Sequence, residues 1–326
     1  MHTRCVSFYS RCRAATEYSK LIRRSLGFAK LAVAVSAVSI GGLTTPAPAE
    51  ILFTGDHIDP VYTGDDPWNI VGDLTIGAVT PSGGGDDSLL INGGSSVTNT
   101  HGIIGQSPLA NAIVTVAGVG SQWTNSLDLL VGGSTGAGII NIEDQAVVSV
   151  GRDTWAGYGS SSSGVINFDG GTLNTGNLYA SAADLLGTGT INTHTILSDI
   201  DLAFNPSRGL AQQIILNTEP NQNITINLDA SDASANRVMG AGYRGTGSLT
   251  IAEGISLGSD LGILGHQSGA QGTATVAGVD SRWTVAEDFH VGYRGTGTLN
   301  VYVGGTVESQ DAEIGYLSGS NGTATV

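Results

Sequence analysis

Residues 275–315 read TVAGVDSRWTVAEDFHVGYRGTGTLNVYVGGTVESQDAEIG, and most of the remaining chain consists of looser copies of this stretch. Its first half recurs 160 residues upstream, where VTVAGVGSQWT (114–124) matches ATVAGVDSRWT (274–284) at eight of eleven positions. Its second half recurs after 50 residues, with GYRGTG at 242–247 and again at 292–297. Self-similarity at a short period marks a stacked array, because one copy cannot bury its own apolar face.

Eight glycines that close a short D-L-x-V-G-like strand set the phase of the repeat. They are Gly77, Gly105, Gly132 and Gly157, then Gly242, Gly265, Gly292 and Gly315, at steps of 28, 27 and 25 and of 23, 27 and 23. Such a repeat holds short strands and no sizeable helix. Three and one positions before each marker stand apolar residues such as Leu74/Ile76, Leu129/Val131 and Phe289/Val291. The residue between them varies: Thr75, Leu130, Trp155, His290, Glu313. Period two with one apolar face predicts a half-buried strand. Turns rich in Gly, Ser and Asn then lead to a second strand, as at 298–301, and a third, as at 306–307. The expected fold is all-β: a parallel β-helix (β-solenoid) of roughly 23–28-residue coils, preceded by a signal peptide.

Residues 1–49 differ from the rest. Seven basic residues precede an apolar run, LAVAVSAVSIGGL (31–43), and Ala47-Pro48-Ala49 follows. This is the order of a basic region, a hydrophobic region and an A-x-A cleavage site. Thirteen residues rising about 1.5 Å each fall short of a hydrocarbon core of about 30 Å, which favours an export signal over a membrane anchor. The expected organisation is then a lead-in that caps the first coil (50–72), solenoid repeats (73–194), divergent coils with a longer loop (195–238), and a second block of repeats (239–326). The last block reads as truncated, since TATV (323–326) stops where the repeat predicts a further V-A-G-V-x-S-x-W.

Beyond Ala49 the chain has six arginines, no lysine and twenty-seven acidic residues, a formal charge of −21. Such a surface repels a phosphate backbone, so nucleic acid is not expected as a partner. Both cysteines, Cys5 and Cys12, fall in the signal, which removes disulfides, thiol catalysis and Cys-type zinc sites.

Five markers have an aspartate four residues earlier: Asp73, Asp128, Asp153, Asp288 and Asp311. Members from adjacent coils would stack about 4.8 Å apart, which makes Asp128, Asp153, Asp288 and Asp311 candidate calcium ligands. The plainer reading, which we prefer, is a turn aspartate serving nearby backbone amides. Trp123 and Trp283 are either a sugar-stacking platform or the packed corners of their coils, and we prefer corners. His57, His101, His194, His266 and His290 are scattered. GGSTG (132–136) fits G-x-S-x-G but lacks the following helix a nucleophile elbow needs, and GGGDD (83–87) occurs once and out of phase. No nucleophile, base and orienting group assemble, so no catalytic or cofactor-binding residue is assigned.

The pattern formed by Val276, Gly278, Ser281, Trp283, Thr284, Asp288, Val291, Gly292, Tyr293, Gly295, Gly297, Leu299, Val301, Gly304, Gly305, Val307, Ile314, Gly315 and Tyr316 resembles the repeat of autotransporter passengers and PEP-CTERM-type bacterial surface proteins. The resemblance implies a right-handed parallel β-helix, exported and displayed at the cell surface, with no catalytic residues to carry over. Neither a C-terminal membrane barrel nor a PEP-CTERM tail is in this sequence, so a membrane link is expected only through an anchor beyond it. The expected function is an exported, non-enzymatic surface or matrix protein, an adhesin-like passenger or structural spacer whose ligand could be carbohydrate. The alternative is a β-helix polysaccharide lyase or glycosidase, for which Asp288, Asp311 and Arg294 would be the candidates.

Overall fold

The computed structural model describes residues 49–326 apart from 56–57, 63, 79–85, 109–110 and 233–235. The expected signal peptide (all of it but Ala49), His57 and residues 83–85 lie outside the described residues. The marker strands stack in parallel register. Thr75, Ile103, Leu130, Trp155, Tyr179, Leu197, Gly240, Ile263, His290 and Glu313 are successive partners, giving a parallel β-solenoid of about ten turns. Their flanking residues point inward, and Leu74, Ile76, Leu129, Val131, Phe289 and Val291 are buried in one continuous core. Among the described residues the one helical segment is the three-residue turn Ala182–Asp184.

All eight marker glycines have φ between +67° and +86°. The turn they make throws the chain from the marker column into the second column of strands, and at Gly105, Gly132, Gly242, Gly265 and Gly292 an added Cβ would press on the backbone of the next coil. That is why glycine recurs there.

The V-A-G-V-x-S-x-W motif acquires a physical meaning at the same level. Ser121 and Ser281 are buried, and their hydroxyl oxygens accept the N–H of Gly94 and Gly254, each at 3.0 Å, in the turn of the preceding coil. Trp123 and Trp283 are wholly buried, with the indole N–H donated to Asn99 Oδ1 (2.6 Å) and Ser259 Oγ (3.1 Å) of the coil before. Both indoles are therefore corner residues, and neither presents a face to solvent.

Coil length departs from 23–28 in two places. Tyr179 to Leu197 takes 18 residues, and Leu197 to Gly240 takes 43. Within the longer one, Ala211–Leu216 folds back antiparallel onto Asn223–Asp229, and the latter continues the third column from residues 188–193. The Asn205-Pro206-Ser207 stretch is a side-chain-capped turn in which Asn205 Oδ1 accepts the N–H of Ser207 and of Arg208 at 3.2 and 3.1 Å. Here the second column restarts as a separate five-stranded sheet at Asp201–Phe204. Among the described residues the marker column alone runs through, by way of Leu197–Gly240 and Ser198–Ala241.

At the N-terminal end Glu50–Thr54 runs antiparallel to Asp86–Asn92, and Ile58–Asp59 antiparallel to Leu74–Ile76. These strands take up hydrogen-bonding groups that an open edge would offer to another chain. Trp68 is buried beneath them, with the Tyr62 ring edge-on at 4.9 Å.

Candidate functional site

The aspartate column four residues before the markers is a polar ladder that also includes histidine, asparagine and threonine. His101 stands between two carboxylates of neighbouring coils, its Nδ1 2.7 Å from Asp73 Oδ1 and its Nε2 3.5 Å from Asp128 Oδ2. Arg152 forks onto Asp128, with Nε 2.7 Å from Oδ1 and Nη2 bonded to Oδ2. Asp128 Oδ1 also accepts the Asp153 N–H at 3.2 Å. Asp153 in turn accepts from Asn177 Nδ2 at 2.6 Å. Burial raises the Asp153 carboxyl above the ordinary range, and the Asn177 hydrogen bond opposes that shift. Asn177 Oδ1 takes the Thr195 hydroxyl and the Val238 N–H.

Of the calcium candidates, Asp128 and Asp153 thus have oxygens committed to Arg152, a backbone amide and Asn177. This does not resemble the shell of about six to eight oxygens that calcium takes. Asp288 and Asp311 are brought together as register partners on an exposed stretch. Among the described residues no group of three or more His, Cys, Asp or Glu side chains is placed to hold a metal ion.

Replacing Arg152 by Met keeps the aliphatic stem and leaves the Asp128 carboxylate, 8 % exposed, without its main donor. Hydrogen bonds to charged groups contribute about 1.5–3 kcal/mol, and solvent screening trims this because the Arg152 side chain is 41 % exposed. We expect Arg152→Met to cost about 1–2 kcal/mol in urea unfolding and Asp128→Asn to cost less. A loss within error of zero for Arg152→Met would remove the ladder as a source of stability.

Where the third column bends into the marker column, the strand register shifts between Val150 and Asp153. The bend opens a groove of about 740 Å3, with Gly151 and Gly176 at the corner. Along one wall Thr124, Ser149, Asn174, Asn192 and Asn227 are successive register partners. Their amides form a chain: Asn227 donates to Asn192 (2.8 Å), Asn192 to Asn174 (2.7 Å), and Asn174 to Ser149 (3.4 Å). Among the described residues on the rim every basic side chain faces a carboxylate: Arg152 faces Asp128, Arg237 Nη2 lies 3.6 Å from Asp260, and His194 Nε2 lies 3.5 Å from Asp232.

A second cleft, of about 360 Å3, lies over the outward side of the marker column and shares Arg152 and Asn236 with the first. Asp153, Asp260, Glu287 and Asp288 line it together with aromatic rings. Trp155 stacks on Tyr179 at 3.5 Å and 8°. His266 lies between Tyr243 (5.4 Å, 24°) and Tyr293 (5.3 Å, 2°), and His290 stacks on Tyr316 at 4.4 Å. The rings therefore stack mainly on one another. Of the residues that the lyase reading requires, Asp288 lines this cleft; Arg294 instead lies over the Tyr293 ring at 5.8 Å. His290 points outward as its position predicts, yet only 8 % of it is exposed because the stack covers it. The G-x-S-x-G stretch is a turn between Leu129–Val131 and Ala137–Glu143, and Ser134 is exposed on it.

Burial, helped by the Arg294 charge, pulls the His266 imidazole down from 6.5 to about 3. The fold thus holds it neutral, while an unfolded chain takes up a proton below pH 6.5. This contribution to stability is complete above pH 6.5 and is lost as the pH falls towards 3, by about 1.4 kcal/mol per unit. By pH 5 the loss is about 2 kcal/mol. Burial raises the carboxyls of Glu143, Asp153 and Asp184, which acts in the opposite direction, so the comparison must be with a variant. His266→Phe, which keeps a ring in the stack, should show a shallower decline in unfolding free energy between pH 6.5 and 5. Equal slopes for variant and parent would contradict the assignment.

The arrangement defines a parallel β-solenoid whose polar side chains bond from coil to coil. Comparison with family models, with curated proteins and with solved structures gives no match for the chain. In the sequence Tyr243, Tyr293 and Tyr316 each follow a marker glycine, and His266 holds the same position after Gly265. Arg152 and the asparagine wall gave no signal until the register was known.

Proposed function

We propose that the chain is an exported, non-enzymatic repeat protein of the cell surface or extracellular matrix, of the kind that residues 274–326 resemble in autotransporter and PEP-CTERM-type proteins. The reading is carried by what its polar residues do. Asp128, Arg152, Asp153, Asn177, Ser121 and Ser281 each bond to a neighbouring coil, so the groups that could do chemistry hold one turn on the next. About ten turns at about 4.8 Å each make a body roughly 45 Å along the solenoid axis, suited to spacing or display. The basic and apolar segments before Glu50 support export.

The test has two arms. Fractionation of cells producing the full chain, with N-terminal sequencing of the product, should find it outside the inner membrane and beginning near Glu50. Incubation with a panel of acidic polysaccharides should release neither unsaturated nor reducing sugars. Release that disappears in Asp288→Asn would replace this reading with the lyase one.

A further inference from the structure

The corner groove has properties that the stacking of coils does not require. Its wall presents one hydroxyl or amide per coil over five consecutive coils, Thr124, Ser149, Asn174, Asn192 and Asn227, so polar groups recur every ~4.8 Å along ~19 Å. A side-chain amide has two N–H donors and an oxygen with two lone pairs. Asn192 and Asn174 each use one donor and one acceptor within the chain of amides, which leaves each an N–H and a lone pair for the groove. Donors and acceptors side by side match the hydroxyl group, which does both.

Charge decides between ligand classes. Arg152, Arg237 and His194 each face a carboxylate across the rim, so among the described residues the groove has no unpaired basic side chain to draw in an anion. The chain beyond Ala49 carries −21, which repels polyanions. The ring stack beside the groove turns its faces inward on itself, so recognition here is by hydrogen bonding along the wall.

We infer that the corner groove binds a neutral polysaccharide, laid along the solenoid axis with its hydroxyls on the Asn174–Asn192–Asn227 wall. The inference rests on the surface or matrix reading for the availability of such a ligand, though its test does not. It is affinity electrophoresis of the full chain in gels containing dextran, mannan or galactan, with alginate as the anionic comparison. Retardation is expected in at least one neutral gel and not in alginate. Asn192→Ala and Asn227→Ala should each weaken it at least tenfold. Asn141→Ala, in the separate amide chain of the second column that Asn167 and Thr115 share, should leave it unchanged.

Circular dichroism and melting temperature establish that the variants are folded. Should Asn192→Ala fail to fold, Asn227→Ala, on an exposed position of the hairpin, decides the matter. No retardation in any neutral gel, retardation in alginate alone, or retention unaltered by Asn227→Ala would each overturn the inference. Those outcomes leave the export arm untouched. Equally, a chain found inside the cell that still binds dextran through Asn227 would overturn the export reading and keep the groove.

Discussion

Gly132→Ala is expected to lower stability by about 3 kcal/mol or more, far beyond what one methyl group ordinarily does. Gly132 has φ +72°, and holding an alanine in the left-handed region costs about 1–2 kcal/mol. The larger part is steric. A Cβ built there would lie 2.6 Å from the Ser163 carbonyl carbon and closer still to its oxygen. That carbonyl belongs to the strand Ser163–Ala180, whose first residues pair with Ala137 and Gly138. It cannot retreat without opening the contact between two coils. Gly170→Ala is the control, because Gly170 also has positive φ (+81°) but nothing lies within 4 Å of its added Cβ. The control should lose only the conformational part, about 1–2 kcal/mol. In a solenoid each turn contacts its neighbours, so hydrogen exchange should show protection failing first around residues 129–168. Equal losses for the two variants would sink the idea that coil-to-coil approach dictates the marker glycines.

Trp283→Ala should cost about 3–5 kcal/mol, the range for removing a large buried aromatic. The indole is wholly buried, packs on Phe289 at 4.7 Å, and sits in register between Leu257 and Val307. Its removal opens a cavity at a coil corner whose backbone is held on both sides. Trp283→Phe separates volume from hydrogen bonding. It retains most of the filling but leaves the buried Ser259 hydroxyl without the indole donor, for about 1–2 kcal/mol. Trp123→Ala should behave alike, since Trp123 is equally buried and donates to Asn99. The two tryptophans lie in separate coils, so the double variant should be additive within about 0.5 kcal/mol as long as unfolding stays cooperative. Urea and hydrogen-exchange measurements on the same set would check both values. A loss below about 1 kcal/mol for Trp283→Ala would mean that the corner collapses around the gap.

The marker glycines and the period-two residues before them were enough to read the coil, because both are local consequences of backbone geometry. A residue at a positive φ against a neighbouring backbone has to be glycine, and a half-buried strand has to alternate. The tryptophan of the V-A-G-V-x-S-x-W motif could be placed at a corner for the same reason, although its partners, Asn99 and Ser259, lie about one coil away, whereas the bond of the serine to Gly94 or Gly254 emerges only from the stacking.

Matters stood differently wherever function depends on which coil lies beside which. The steps of 18 and 43 residues around Leu197 break the period, so residues after it could not be phased against residues before it. For that reason the Thr124 to Asn227 wall, and the Tyr243 hydroxyl donating to Gly157 across three coils at 2.7 Å, had no counterpart in the pattern. The aspartate column was visible as a column, but the partners of its carboxylates were not. Arg152 occupies the position just before it, and only the coil-to-coil register shows that its fork closes on Asp128 and not on a residue of its own strand.

By itself the sequence determined the β-solenoid, its marker turns and its corner tryptophans, since these follow from local conformation repeated at a near-constant interval. Only the tertiary structure decided that Asp73, Asp128 and Asp153 are tied up between coils, that His266 and His290 are buried in an outer stack of rings, and that five polar residues separated by irregular intervals face one groove. These depend on the vertical register between turns, which hydrogen bonding across about 4.8 Å sets and linear spacing does not encode.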